Sequence, residues 1–425
     1  MDCARRARVQ SSMSLLFRRA AAGAIQGFWH FGVVTASYPM LRRVLWVCCF
    51  AMLGASGCCS YSVAGYQGPP SDHFVKGEFR NRWPAGERAH GFGDFWHWQL
   101  NRDIGLWDEW VPAPPGPAPP ARVEGSALRV TFVGHSTLLV QTGGLNVLTD
   151  PVWSYRVGPT SWAGVARRRP PGIRFEDLPP IDVVLISHNH YDHMDLPTLR
   201  RLHAAHRPKV FVGLGNAGFL AEEGMPGATD MDWWDGVSLG PDVSLHAVPA
   251  QHFSRRGLCD GNETLWLGWV LMVHGQAIYF AGDTGYGSHF AEIGRRFAPV
   301  RLAMLPIGAY RPRWFMRAVH VDPAQAVRAH LELGAQTSVA MHFGTFRQAD
   351  DGQYEPLTDL VEALEESALD LESFWVLGFG EGRLVPPIRT RAAMDEKAKG
   401  GGSLAATLPR HRDTDGVSRG KDAPR

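Results

Sequence analysis

Between Ile186 and Asp195 the chain reads ISHNHYDHMD, directly after the apolar run Val183-Val184-Leu185-Ile186. A short β-branched run bounded by polar residues predicts a buried strand, so one strand delivers His188, His190, Asp192 and His193 at its loop end. Imidazole nitrogens and carboxylate oxygens are donors suited to zinc and neighbouring divalent ions. The H-x-H-x-D-H spacing suits two adjacent ions, with His188 and His190 turned to one and Asp192 and His193 offered to the other. Solvated loop histidines are the bland alternative, and three histidines with an aspartate in six residues argue against it.

Further donors also sit just beyond apolar runs. His252 follows LHAVPAQ, Asp283 ends AIYFAG and His342 ends TSVAM. Each is expected to project from a strand end toward the same edge of a sheet sandwich. Asp283 has two carboxylate oxygens in a turn flanked by Gly282, Thr284 and Gly285, so it could bridge both ions. Asp150, at the end of NVLTD, reads as a support that orients a ligand histidine through a hydrogen bond. His135, in VGHSTLLV, reads as structural or supporting rather than as a ligand.

The rest of the chain gives these residues a frame. The chain has 425 residues, 45% of them hydrophobic, enough to fill a substantial core. The net charge of +1 gives no electrostatic reason to expect a nucleic-acid partner. Strands are expected at 128–134, 146–150, 181–187, 209–215, 243–249, 265–273, 276–283, 301–308 and 337–344, with helices at 197–206, 289–297, 323–333 and 357–369. Two β-rich halves with helices between strands imply an α/β fold of stacked sheets flanked by helices.

The second half carries a more specific pattern. LWLGW (265–269), FAGDTGY (280–286), EIGRRFAPVRLAMLPIGAYRPRWFM (292–316), HVDPAQAV (320–327) and MHFGTF (341–346) make the chain resemble the N-acylphosphatidylethanolamine-hydrolysing phospholipase D family within the metallo-β-lactamase superfamily. The resemblance spans residues 75 to 385, and 282–326 is its most specific stretch. It implies an αββα four-layer metallo-β-lactamase sandwich, a dinuclear zinc site and hydrolysis of a phospholipid phosphodiester to N-acylethanolamine and phosphatidic acid. Carried over by motif, His188, His190 and His252 hold one zinc, Asp192, His193 and His342 the other, and Asp283 bridges them.

Two divalent ions about 3.5–4 Å apart would acidify a bridging water and polarise the phosphoryl oxygens, with Asp192 orienting that nucleophile. His320 precedes an expected helix start and is a candidate for protonating the leaving alkoxide or holding the phosphate. The family carries Gln where this chain has Val319. Arg311 and Arg313 could meet a lipid phosphate, and the aromatic residues of 309–316 could line an acyl groove or touch a membrane. The competing readings are a lactonase or phosphodiesterase acting on a soluble compound, or a non-catalytic envelope protein on the same scaffold; nothing local indicates β-lactam recognition. Iron or manganese could replace zinc.

The expected organisation is a leader at 1–59, an N-terminal extension and Pro-rich linker at 60–127, a hydrolase domain at 128–388 and a disordered tail at 389–425. Trp83, Trp96, Trp98, Trp107 and Trp110 suggest that the extension packs onto the domain, whereas 111–125, dense in proline, reads as a stiff linker. Five of the six cysteines lie in the first sixty residues, so no disulfide framework is expected. From Met40, MLRRVLWVCCFAMLGASGCC has a secretory signal layout, and Ala55-Ser56-Gly57-Cys58 resembles the lipobox of bacterial lipoproteins. Translation from Met40 and an envelope location anchored through Cys58 are expected, with an uncleaved anchor or a cytoplasmic location as the alternatives. Mass spectrometry of the mature protein should find a modified Cys58 as its first residue; any other N-terminus removes the anchor.

Overall fold

The computed structural model describes residues 65–82 and 91–388. The expected leader with Cys58, Trp83 and the expected tail lie outside these residues.

The chain opens with a small hairpin, β1 (Phe74–Val75) and β2 (Glu78–Phe79), and a helix, α1 (Phe92–Leu100). β3 (Leu128–Gly134), β4 (Thr137–Thr142) and β5 (Leu145–Thr149) form an antiparallel meander, followed by a two-stranded ribbon of β6 (Arg156–Val157) and β7 (Val165–Ala166). β8 (Val183–Leu185), α2 (Leu196–His206), β9 (Lys209–Gly213), α3 (Asn216–Glu222) and β10 (Thr229–Met231) continue the first sheet in parallel fashion. The second half runs through β11 (Gly236–Gly240), β12 (Val243–Pro249), β13 (Leu267–Val273) and β14 (Gln276–Phe280), antiparallel throughout. It continues through α4 (His289–Phe297), β15 (Val300–Pro306), α5 (Arg313–Met316), α6 (Pro323–Leu333), β16 (Ala335–Met341), α7 (Glu355–Glu366) and β17 (Phe374–Trp375). Last, β18 (Gly382–Leu384) returns to pair with β3. The outcome is two seven-stranded sheets, ordered β10-β9-β8-β5-β4-β3-β18 and β11-β12-β13-β14-β15-β16-β17.

Side-chain alternation explains the layers. Successive strand residues point to opposite faces, and here both faces of each sheet are covered, so the strands read as continuous apolar runs. Phe132, Leu138, Val140, Val183 and Leu185 of the first sheet meet Leu245, Trp269, Leu271, Ile278 and Phe280 of the second in one core. Their neighbours Leu139, Leu148, Val184 and Ile186 turn outward onto Leu199 and Leu202 of α2 and Phe219 and Leu220 of α3. On the far side, Phe290, Ile293, Val327, Leu360 and Leu364 of α4, α6 and α7 cover the second sheet. This is the αββα four-layer sandwich expected from the sequence.

Local chemistry sets the helix that follows the candidate site. Asp322 accepts from the Gln325 amide at 2.8 Å in a capping box, Pro323 occupies the first turn, and Gly334 closes the helix at φ 62.

The segment 111–125 differs from a linker between bodies. Proline cannot donate, but the carbonyls around it still accept, and Gln141 Nε2 bonds Pro120 O at 2.7 Å while Asn146 Nδ2 bonds Ala121 O at 2.9 Å. Val111 N and Gly116 N donate to Arg168 O and Gly172 O. The segment is an extended strap along the first sheet. Further upstream, Phe74 and Phe79 enter the main core, and Trp98 packs in a smaller cluster with Ala309, Met316 and Ala349. Among the described residues no helix is long and apolar enough to cross a membrane.

Phe79 is fully buried, with 0% of its surface exposed. Phe79→Ala should therefore cost about 3–5 kcal/mol of unfolding free energy in urea; a loss comparable to an exposed substitution would show that the extension is peripheral.

Candidate metal centre

In the first sheet β3, β5 and β8 run in one direction, and in the second β12, β14 and β16 do the same. His135, Asp150, His188, His252, Asp283 and His342 each follow the C-terminal end of one of these strands. The two edges meet at Gly282, where φ is +60 and a Cβ would lie 2.5 Å from Ser187 Cβ. Only glycine permits that approach without strain. Leu267 N also donates to Ser187 O at 3.0 Å, so the β8 loop and the second sheet are stitched together beside the site.

The structure brings all seven expected ligand residues together in two groups. In the first, His190 Nδ1 lies 2.7 Å from His188 Nε2 and 3.4 Å from His252 Nε2. Two of these rings have their remote nitrogens engaged. His252 Nδ1 donates to Val319 O at 2.9 Å, and His188 Nδ1 to Ser187 Oγ at 2.9 Å, since that hydroxyl itself donates to Asp150 Oδ2 at 2.6 Å. Both Nε2 atoms therefore carry lone pairs into the site, as ligand imidazoles require. In the second group, His193 Nε2 lies 3.1 Å from Asp192 Oδ2, and His342 Nε2 lies 3.8 Å from the same oxygen. Asp283 Oδ2 is 3.2 Å from His193, 3.0 Å from His342 and 3.9 Å from His252. It sits between the groups.

Asp150 accepts from His193 Nδ1 at 2.6 Å and from the Ser187 amide at 2.7 Å, an arrangement that fixes the His193 ring. His135 Nε2 donates to Asp192 Oδ2 at 2.8 Å. His135, Asp150 and His342 all have positive φ, 56, 31 and 60. Such conformations cost energy in non-glycine residues and collect where the surrounding structure holds a functional geometry.

Electrostatics agree with a site built for cations. Burial first, and then repulsion among neighbouring imidazoles, depresses His188 well below its ordinary value and His190 to about 3; burial foremost takes His252 to about 4. These rings are neutral near pH 7, the form that ligates metal. Burial also opposes protonation of His193 and His342, but the carboxylates outweigh it: Asp283, Asp192 and Asp150 push His193 well above its usual value, and Asp283 and Asp192 push His342 up to about 9. Burial likewise opposes ionisation of Asp192 and Asp283, yet His193 and the other imidazoles hold both well below the usual carboxylate range. Two buried carboxylates thus demand positive charge, and metal binding would release the protons that meet the demand. His193 Nε2, His342 Nε2 and Asp283 Oδ1 are buried without a hydrogen-bond partner among the described residues. Orphaned donors of this kind fit metal ions. The geometric groupings that could hold an ion include His188, His190 and His252, and Asp192, His193 and His342 with His135.

His320 Nδ1 lies 3.9 Å from Asp283 Oδ2 and forms a further possible grouping with Asp283 and His252. Burial foremost depresses this imidazole well below its ordinary value. Arg311 and Arg313 turn to internal partners instead of the site: Arg311 pairs with Glu355, while Arg313 pairs with Asp322 and donates to His320 O. Sequence reasoning missed Gln348, whose Nε2 donates to Asp192 Oδ2 at 2.7 Å, and the Val319 carbonyl. No spacing signal marks either; Ser187, inside the central tract, was within reach of one.

Residues 145–343 match the Beta-lactamase superfamily domain. The chain is 37% identical over 268 residues to the N-acyl-phosphatidylethanolamine-hydrolyzing phospholipase D 1 of Caenorhabditis elegans, covering 60% of this chain and 75% of that protein. It is 40% identical over 249 residues to an uncharacterised protein of Mycobacterium tuberculosis, covering 57% and 66% of the two chains. A metal-dependent hydrolase of Pyrobaculum neutrophilum is 31% identical over 223 residues, covering 52% and 85%.

Asp283→Asn removes one of the two charges while keeping the volume. Metal content measured by atomic emission should fall in this variant, and hydrolytic activity with it; full retention of both would remove Asp283 from the bridging position.

Proposed function

Because the chain belongs to the beta-lactamase superfamily and, within it, to the family of N-acyl-phosphatidylethanolamine-hydrolyzing phospholipases D, we propose that it is a zinc-dependent phosphodiester hydrolase. The reaction adds water across the phosphorus–oxygen bond of an N-acylphosphatidylethanolamine and yields an N-acylethanolamine and a phosphatidic acid. The observation that carries this reading is Asp283 Oδ2 between two imidazole groups, in a chain 37% identical over most of a phospholipase of that specificity.

His188, His190 and His252 would hold one zinc, Asp192, His193 and His342 the other, with Asp283 between them. When bound, the pair would supply Lewis acidity to the phosphoryl group and to water. The chain's own part is orientation. Asp192 is held by His135 and Gln348 through Oδ2, which orients its carboxylate to accept a hydrogen bond from the attacking water. His320, neutral because of its burial, is better suited to hold a phosphoryl oxygen through an N–H than to act as an imidazolium acid for the leaving alkoxide. The Val319 departure leaves the support of His252 intact, because the backbone carbonyl of Val319, not its side chain, fixes that ring.

An aromatic surface supports a lipid substrate. Trp98 of α1 stacks on Phe315 of α5 at 4.9 Å, and this contact leaves Trp96 and Trp314 47% and 43% exposed beside the loop that carries His320. Rings half in and half out of the protein suit a membrane interface, and the expected Cys58 anchor would keep the chain there.

Full-length protein should release N-acylethanolamine from vesicles containing N-acylphosphatidylethanolamine, lose that activity to a chelator and regain it with zinc. Hydrolysis confined to lactones or cyclic nucleotides in the same panel would establish the soluble-substrate reading instead.

A further inference from the structure

We infer that Asn81, on the segment that precedes the matched domain, is a positioning residue for His252 and tunes one half of the metal centre. The inference rests on the two-metal reading above.

His252 lies beyond β12 in a stretch without regular secondary structure, so no strand ladder fixes its backbone. Asn81 does so instead. Its Nδ2 donates to His252 O at 2.9 Å, and its Oδ1 accepts from His252 N at 3.0 Å. A primary amide offers one donor and one acceptor in a plane, the complement of a residue's own N–H and C=O. Asn81 therefore acts as a one-residue strand partner. The same Oδ1 accepts from Trp266 Nε1 at 3.0 Å, and that indole also reaches Ala250 O at 3.2 Å, so both sides of the turn are tied to one point. With the backbone held by Asn81 and the ring held through Nδ1 by Val319 O, the remaining nitrogen of His252 is directed at His190 and Asp283.

The support is itself rigid. Phe79, two residues before Asn81, is fully buried, and its amide donates to Asn262 O at 2.7 Å. His73 sits between Asp72 and Asp232 at 2.7 Å each and stacks on Trp233 at 4.4 Å. Tyr66 N donates to Glu263 O at 2.9 Å. A loop holding a metal ligand is thus referenced to a segment 171 positions earlier in the chain. Partners that orient a ligand typically contribute about 10–100-fold to metal affinity.

The test is calorimetric titration of the full chain, stripped by chelation, with zinc. Asn81→Ala is expected to weaken one of two zinc-binding events by about 10–100-fold and leave the other unchanged. Leu220→Ala, which removes a buried side chain of α3 from a core that this segment does not enter, is expected to lower the melting temperature and spare both events. Should Asn81→Ala fail to fold, Asn81→Asp keeps the acceptor, loses the donor and is expected to give the same selective weakening. Equal weakening of both events, no weakening, or the same selective loss in Leu220→Ala would overturn the inference and assign the segment a purely structural part. No zinc uptake by the unsubstituted chain would overturn the two-metal reading, and this inference with it.

Discussion

The contact between Gly282 and Ser187 is the constraint on which the site depends. Each sheet alone ends in a row of loops, and neither row carries a complete set of donors. The first sheet supplies His188, His190, Asp192 and His193; the second supplies His252, Asp283 and His342. Where the two edges close to the point that a Cβ at position 282 would lie 2.5 Å from Ser187, the half-sets merge. The large aromatics Trp266 and Trp269 fill the space behind that contact, and the Trp269 indole donates to Ile186 O at 3.2 Å. Core packing and site assembly are therefore one event, because a shift of either sheet would separate Asp283 from His193.

Charge supplies the second requirement. Burying carboxylates is unfavourable unless positive charge accompanies them, and Asp192 and Asp283 are both nearly inaccessible. Protons on His193 and His342 can meet that need, but a divalent ion does so with less repulsion among the imidazoles. Asp150 and Ser187 then matter as supports: they hold His193 and His188 so that one nitrogen of each is committed away from the site. The same logic extends to Val319 and Asn81 around His252. Donor identity is local to a few residues, whereas donor direction is set from remote parts of the chain.

That division explains what the sequence made legible. The H-x-H-x-D-H tract and the histidines and aspartate beyond apolar runs could be read because strand ends and ligand chemistry are both local properties. Apolar strands alternating with helices pointed to stacked sheets flanked by helices, the family resemblance implied the four layers, and three of the four expected helices end within a residue of their observed bounds. The strand β4 was missed because 137–142 follows β3 so closely that its alternation reads as a continuation. The edge strands β10, β11, β17 and β18 were missed because short pairings owe their existence to neighbours. Gln348 and Asn81 carried no signal, since their partners lie 156 and 171 positions away. The Pro-rich strap read as a linker because its carbonyl acceptors, unlike its absent donors, leave no mark in composition.

One centre assembled from both sheets is expected to take two metal ions. Anomalous diffraction at the zinc edge from zinc-loaded crystals of the full chain tests it most directly. Two peaks are expected, one among His188, His190 and His252 and one among Asp192, His193 and His342, with the Asp283 carboxylate between them. A single peak, or peaks away from these residues, would contradict it.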